Sequence, residues 1–408
     1  MTTSPERPAR HRGLFLLGPA FVAAIAYVDP GNVAANVSGG ATYGYLLVWV
    51  LVVANVIAGI LQYQSAKLGL VTGMSLPELL GGRLRTASRR AFWVQAEVIA
   101  AATDLAEVVG GALALHLLFD LPLVLGGVIV GVVSMLLLGA QSRFGQRPFE
   151  LVIIGLLAVI AIGFVAGLFV TPPDGGEVLD GLVPRLRGSG SLVLAASMLG
   201  ATVMPHAIYL HSALARDRHG TPTDESALRR LLRATRWDVG LALGIAGIVN
   251  VGILLLAAVD LRHLPAGDTI TAAHAVIGRN VGAVAALVFA IGLLASGLAS
   301  TSVGSYAGAT IMSGLLRRRI PILVRRVVTL IPALIVLGLG AQPTSALVIS
   351  QVVLSFGIPF ALVPLIAYTG DRSLMGGFAN GPAVRLLMLA VIFVIVALNV
   401  TLIVLAFA

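Results

Sequence analysis

Cysteine is absent from all 408 residues. That absence excludes a disulfide framework and any thiolate metal site. Charge is scarce as well: Asp, Glu, Lys and Arg together make up 11%, against roughly 25% in a soluble domain. No long polar stretch breaks the chain into separate domains. What fills the chain instead is apolar, 58% of residues, with a mean hydropathy of +0.99. A soluble core has no use for so much apolar surface, so most of it must face lipid. The net charge of +9 and a pI near 10.7 would suit nucleic acid. The basic residues, however, lie in short clusters between apolar runs, the pattern of loops flanking membrane spans. The lipid bilayer is the expected partner, and nucleic acid is not.

Apolar segments long enough to span recur along the whole chain. About eleven are expected, over 14–37, 43–70, 91–119, 121–140, 149–170, 191–214, 238–259, 281–312, 321–340, 344–368 and 384–407. Following them from the N-terminus places 23 of the 27 Lys and Arg residues on one side, leaving only Arg185, Arg187, Arg262 and Arg279 on the other. By the positive-inside rule the N-terminal tail, 1–13, is cytoplasmic in a multi-pass inner (cell) membrane protein. An odd number of spans puts the C-terminus outside. The opening "RPARHRG" and the apolar run after it imitate a secretory signal peptide. Cleavage is not expected, because the residues that follow make sense as part of a working helix.

Those residues are "AYVDPGNVAAN", which places Asp29, Pro30, Gly31 and Asn32 inside an apolar span. The sixth span carries a counterpart, "LGATVMPHAIYLHS", with Pro205 between Met204 and His206. Proline removes a backbone donor and breaks a helix. Unwound backbone survives at membrane depth only where it lines a site or cavity. Two interrupted spans, five apart, mark an inverted-repeat transporter. The expectation is an all-α membrane domain, 1–408, with a first five-helix repeat over 14–170 and an inverted second repeat over 191–368. The segment 384–407 is then an extra C-terminal helix.

Asp29 and Asn32 are three residues apart, so they share a face wherever the helix resumes. They offer hard oxygen, and Met204 offers a thioether sulfur. Carbonyls freed at the breaks, such as those of Ala26 and Ala201, complete a candidate ligand set. Hard cations such as Mg²⁺ and Ca²⁺ gain little from sulfur, and a closed zinc site would recruit Cys or His. Mn²⁺ or Fe²⁺ fits best, by elimination. Gln62 and Gln351, in the second and tenth spans, are amides that either add an oxygen ligand in one conformation or bond helix to helix.

The third span carries Glu97, Asp104 and Glu107, spaced by seven and three and so on one helical face. Intramembrane acids are costly and usually functional. Arg325 and Arg326 open the ninth span as counter-charges, and acids and arginines together suggest a proton route. His206 and His211 in the sixth span belong to the only side-chain type that ordinarily titrates near neutral pH.

The sequence resembles the natural resistance-associated macrophage protein (Nramp) family, and its bacterial proton-dependent manganese transporters most closely. The resemblance is carried by "DPGN", "LQYQSAKLG", "WVQAEVIAAATDLAEVVG", "GATVMPHAIYLHS", "VRRVVTLIPA" and "SQVVLSFG", in order along the membrane core. It implies a LeuT-like five-plus-five fold. It also implies that Asp29, Asn32, Met204 and the Ala201 carbonyl are metal ligands, with Ala26, Gln62 and Gln351 contributing in some states. Asp104, Glu107, Arg325 and Arg326 match the family's proton network. One departure is Ala309, where glutamine is expected.

Proton-coupled import of a divalent metal is the resulting expectation, with metal and proton as cargo and no resident cofactor. A sodium- or proton-coupled amino-acid symporter on the same fold is the first alternative, but Asp29 would repel its substrate's carboxylate. An uncoupled metal channel is the second. An enzyme is not expected: cysteine is missing and no "HExxH" occurs.

Overall fold

The computed structural model describes residues 18–144, 171–222, 224–262, 269–280, 282–316 and 321–407, together with Gly155 and Leu168. The N-terminal tail and nearly all of the span expected over 149–170 lie outside these residues. The described residues form helices and no strand, because a helix satisfies its backbone within one segment, as lipid demands.

The first expected span is two helices, α1 (Pro19–Ala26) and α2 (Pro30–Tyr43). A short 3-10 turn leads into α3 (Val48–Thr72), which stops at Gly73 in the left-handed conformation (φ 67°). A short helix not anticipated from the sequence follows, α4 (Leu76–Arg83). It opens with a reciprocal cap in which the Ser75 hydroxyl accepts the Glu78 N–H and the Glu78 carboxylate accepts the Ser75 N–H. The third and fourth spans are α5 (Thr86–Phe119) and α6 (Leu123–Phe144). The sixth is again two helices, α7 (Gly188–Thr202) and α8 (Pro205–His219).

The seventh, α9 (Glu225–Asp260), starts thirteen residues before the expected 238. Its basic N-terminal turns, taken from the sequence as loop, are helical extension capped by Asp224. Next come α10 (Thr269–Asn280), also unanticipated, and α11 (Ala283–Leu316). The last three are α12 (Ile322–Gly338), α13 (Pro343–Gly370) and α14 (Pro382–Phe407). Among the described residues, seven helical stretches are long and apolar enough to cross a membrane.

The long α5 is the centre of the bundle and packs on α6, α11, α12 and α13. The two broken spans cross with α1 against α8 and α2 against α7. First halves thus meet second halves, which sets the two interruptions side by side. Pro30 sits hard against α5 at Gly110, where a Cβ would fall 2.1 Å from the proline ring. Only glycine allows that approach.

Helix α1 lies along α9 and is fastened to it at both ends. At its start the Gly18 and Ala20 N–H groups each donate to the buried Asp238 carboxylate, at 3.0 Å. Just past its end the Asn250 amide donates to the Tyr27 carbonyl at 2.7 Å.

Candidate functional site

Each proline opens the second half of its broken span, where a missing N–H leaves no intrahelical bond unmade. The unwound residues lie just before the prolines, at Tyr27–Asp29 and Val203–Met204. Asp29 is extended (φ −74°, ψ 167°) and caps α2. Its Oδ1 accepts the Asn32 backbone N–H at 2.6 Å and the Asn32 side-chain amide at 2.9 Å. Its Oδ2 is buried without a hydrogen bond.

The Asn32 amide also donates to the Ala201 carbonyl at 2.9 Å, which ties the two breaks together. Ala201 lies in the last turn of α7, and Ala26 ends α1. Carbonyls at helix C-termini lack intrahelical donors, and the dipole there favours a cation. Met204 caps α8 and, like Asp29 and Asn32, is fully buried. Asp29 is the one carboxylate at either interruption. Among the described residues no cluster of three His, Cys, Asp or Glu side chains occurs. Any cation held here must therefore draw on amide, carbonyl and thioether donors.

The Gln351 side chain rests on the backbone of the first break. A Cβ on Gly31 would fall 1.8 Å from its Nε2, and its Oε1 is buried without a partner. Gln62 is differently placed. Its Nε2 donates to the Tyr27 hydroxyl, and its Oε1 accepts from His211 Nδ1 at 2.7 Å. In this conformation Gln62 supplies no free oxygen.

The acids of α5 meet the arginines of α12. Arg326 pairs with Asp104 at 3.1 Å, with both side chains fully buried, and donates to the Ser134 hydroxyl at 3.0 Å. Arg325 pairs with Glu97 at 3.0 Å. Glu107 lies one turn along α5 from Asp104 and is fully buried, with the Thr301 hydroxyl beside its carboxylate. Asp104, Arg326 and Asp29 all act on it electrostatically, so it stands between the break and the ion pairs. His206 Nδ1 lies 3.4 Å from the Thr103 hydroxyl, within electrostatic reach of Asp104 and Arg325. His211 is bonded to Gln62 rather than to any acid, which separates it from that network. Ala309 is half-buried on α11, away from both breaks in sequence.

Three polar residues that hold this arrangement were not singled out from the sequence. Asn250 and the Ser296 hydroxyl bond the freed carbonyls of Tyr27 and Val28, and Asp238 caps α1. Each is a polar residue within or at the edge of an apolar run, "GIVNVGILLL" for Asn250. That is the signal that marks them.

The family model Nramp, natural resistance-associated macrophage protein-like, matches residues 20–405. The chain belongs to the Nramp family. A Mycobacterium tuberculosis protein, divalent metal cation transporter MntH, is 60% identical over 389 residues, covering 95% of this chain and 91% of that one. The Bacillus subtilis MntH is 44% identical over 396 residues, covering 96% and 93%. The crystal structure of an Eremococcus coleocola manganese transporter superposes with a TM-score of 0.87 at 29% identity, covering 98% of this chain and 88% of that one. A nucleobase-cation-symport-1 family transporter, at 15% identity and a TM-score of 0.61, shares the fold alone. This Nramp chain is therefore a multi-pass membrane protein with the LeuT-like architecture.

Proposed function

We propose that this chain imports divalent transition-metal ions, Mn²⁺ and also Fe²⁺, by proton-coupled symport and alternating access. One observation carries the reading: Asp29 keeps a buried oxygen free of hydrogen bonds where the two interrupted helices meet. The substrate class follows the names of the relatives, divalent metal cation and manganese transporters.

On this reading Asp29, Asn32, Met204 and the Ala26 and Ala201 carbonyls hold the ion, and Gln351 closes over it from α13. Gln62 joins only if the Tyr27 and His211 bonds open. Protons travel along α5 from Glu107 to Asp104 and Glu97, balanced by Arg325 and Arg326, with His206 alongside. The N-terminus is cytoplasmic and the C-terminus external. Helices α1 and α9 run side by side in the same direction, as the first and seventh of alternating spans must.

Purified protein in proteoliposomes tests the reading. Mn²⁺ added outside should enter and acidify the lumen together. Metal entry with no pH change would leave an uncoupled channel, and no metal entry would end the proposal.

A further inference from the structure

Between α3, α9 and α14 opens a groove of about 450 Å³, lined by no residue of either break. Its walls are apolar, with Val56, Ile60 and Leu387 among them, but one end is cationic. There Arg236 lies over the Tyr63 ring, 5.2 Å from its centre, and faces the groove. Lys67 lies one helical turn beyond Tyr63, its ammonium donating to the Asn380 side chain. The charged neighbour acting on Lys67 is Arg236, another cation. Among the described residues neither cation has a carboxylate within ion-pairing distance. Gln64, also lining the groove, is 5% exposed, and its Oε1 has no hydrogen-bond partner. Trp237, beside Arg236, is 66% exposed, a ring suited to the headgroup level of a bilayer.

We propose that this groove binds one anionic glycerophospholipid, with its phosphate against Arg236 and an acyl chain along Val56, Ile60 and Leu387. Arg236, exposed and without a carboxylate partner at the rim of lipid-facing apolar walls, with Lys67 adding positive charge from the buried layer behind it, calls for an occupant that is both anionic and aliphatic. The unpartnered Gln64 oxygen calls for a hydrogen-bond donor on the same molecule, such as a headgroup hydroxyl. The cytoplasmic leaflet follows from the orientation proposed above, whereas the binding site does not depend on it or on metal transport.

The test is native mass spectrometry of delipidated full-length protein, titrated with phosphatidylglycerol or phosphatidylcholine. Arg236 and Leu387 are both exposed, so Arg236→Ala and Leu387→Trp leave the core untouched. Wild type should prefer phosphatidylglycerol by about tenfold or more. Arg236→Ala should erase the preference, and Leu387→Trp should weaken the binding of both lipids. Equal binding of the two lipids by wild type would overturn the proposal. So would an unchanged phosphatidylglycerol preference in Arg236→Ala, or unchanged binding in Leu387→Trp. Inorganic phosphate alone should not displace the lipid; if it did, the site would be one for free anions.

Discussion

Asp29 and Asn32 are bonded twice within the first turn of α2, and both bonds fall on the same carboxylate oxygen, Oδ1. One oxygen of Asp29 thus serves the helix, and the other, buried without a hydrogen bond, is the one the proposed metal site would use. The two roles respond differently to substitution.

Asp29→Ala should abolish Mn²⁺ binding and uptake. It should also cost about 1 kcal/mol of stability through the lost cap. Asp29→Asn keeps a capping oxygen and removes only the charge, so it should melt close to wild type while still failing to bind. Isothermal titration with Mn²⁺ and a thermal melt on each variant separate the effects. Wild-type affinity in either variant would sink the assignment.

Met204→Ala should retain some Mn²⁺ uptake but admit Ca²⁺. The sulfur gains little with a hard cation and occupies a place that such a cation would fill with oxygen. One contact of this kind is worth about 1–3 kcal/mol of discrimination, or roughly ten- to a hundredfold. Mn²⁺ uptake with excess Ca²⁺, wild type beside variant, reads the change. Equal resistance to Ca²⁺ in both would make Met204 a packing residue.

Glu107→Gln should impair metal-driven acidification much more than Mn²⁺ affinity, because Glu107 lies beside the break without joining it. Asp104→Asn should act likewise. Arg326→Ala should cost stability as well, about 3–5 kcal/mol, since it strands a buried carboxylate. Loss of Mn²⁺ binding in Glu107→Gln as complete as in Asp29→Ala would show that the two acids form one site.

Glu78, in the short helix α4, pairs with Arg216 from the end of α8. Burial pushes its carboxyl upward, but the two Ser75 hydrogen bonds and Arg216 outweigh it, so its pKa falls below the ordinary 4.5. The folded value being the lower one, this stabilisation is fully present above 4.5 and is lost as pH falls through the depressed value. Glu78→Gln should therefore lower the melting temperature at pH 7, and the gap from wild type should close in more acidic buffer. A gap independent of pH would locate the effect in packing.

The sequence made the broken spans legible because Pro, Gly, Asp and Asn are conspicuous against lipid-facing residues. Asp104 and Glu107 stood out for the same reason, and the arginines offered the only nearby counter-charges. The places where helices start were harder to read. Arg229, Arg230, Arg233 and Arg236 looked like loop, yet they form the first turns of α9 ahead of its apolar stretch, where hydropathy does not report on helicity. Helix α10 escaped because it is neither long nor uniformly apolar. Asn250, Ser296 and Asp238 bond backbone far away in sequence, and spacing carries no trace of such partnerships. His211 shares a helix with His206, but its bond to Gln62 depends on how α8 meets α3.

Helix α1 has eight residues, fewer than the roughly 12–15 that keep an isolated helix folded in water. Its shape is supplied by α9, through Asp238 at one end and Asn250 at the other. Each hydrogen bond to the Asp238 carboxylate is worth about 1.5–3 kcal/mol. If α1 leaves α9 and meets water, both its capping acceptor and its neighbour are gone, and the coil becomes its more stable form. Detachment and melting are then a single event, and this segment is better pictured as a strand of rope that stiffens on contact than as a door on a hinge.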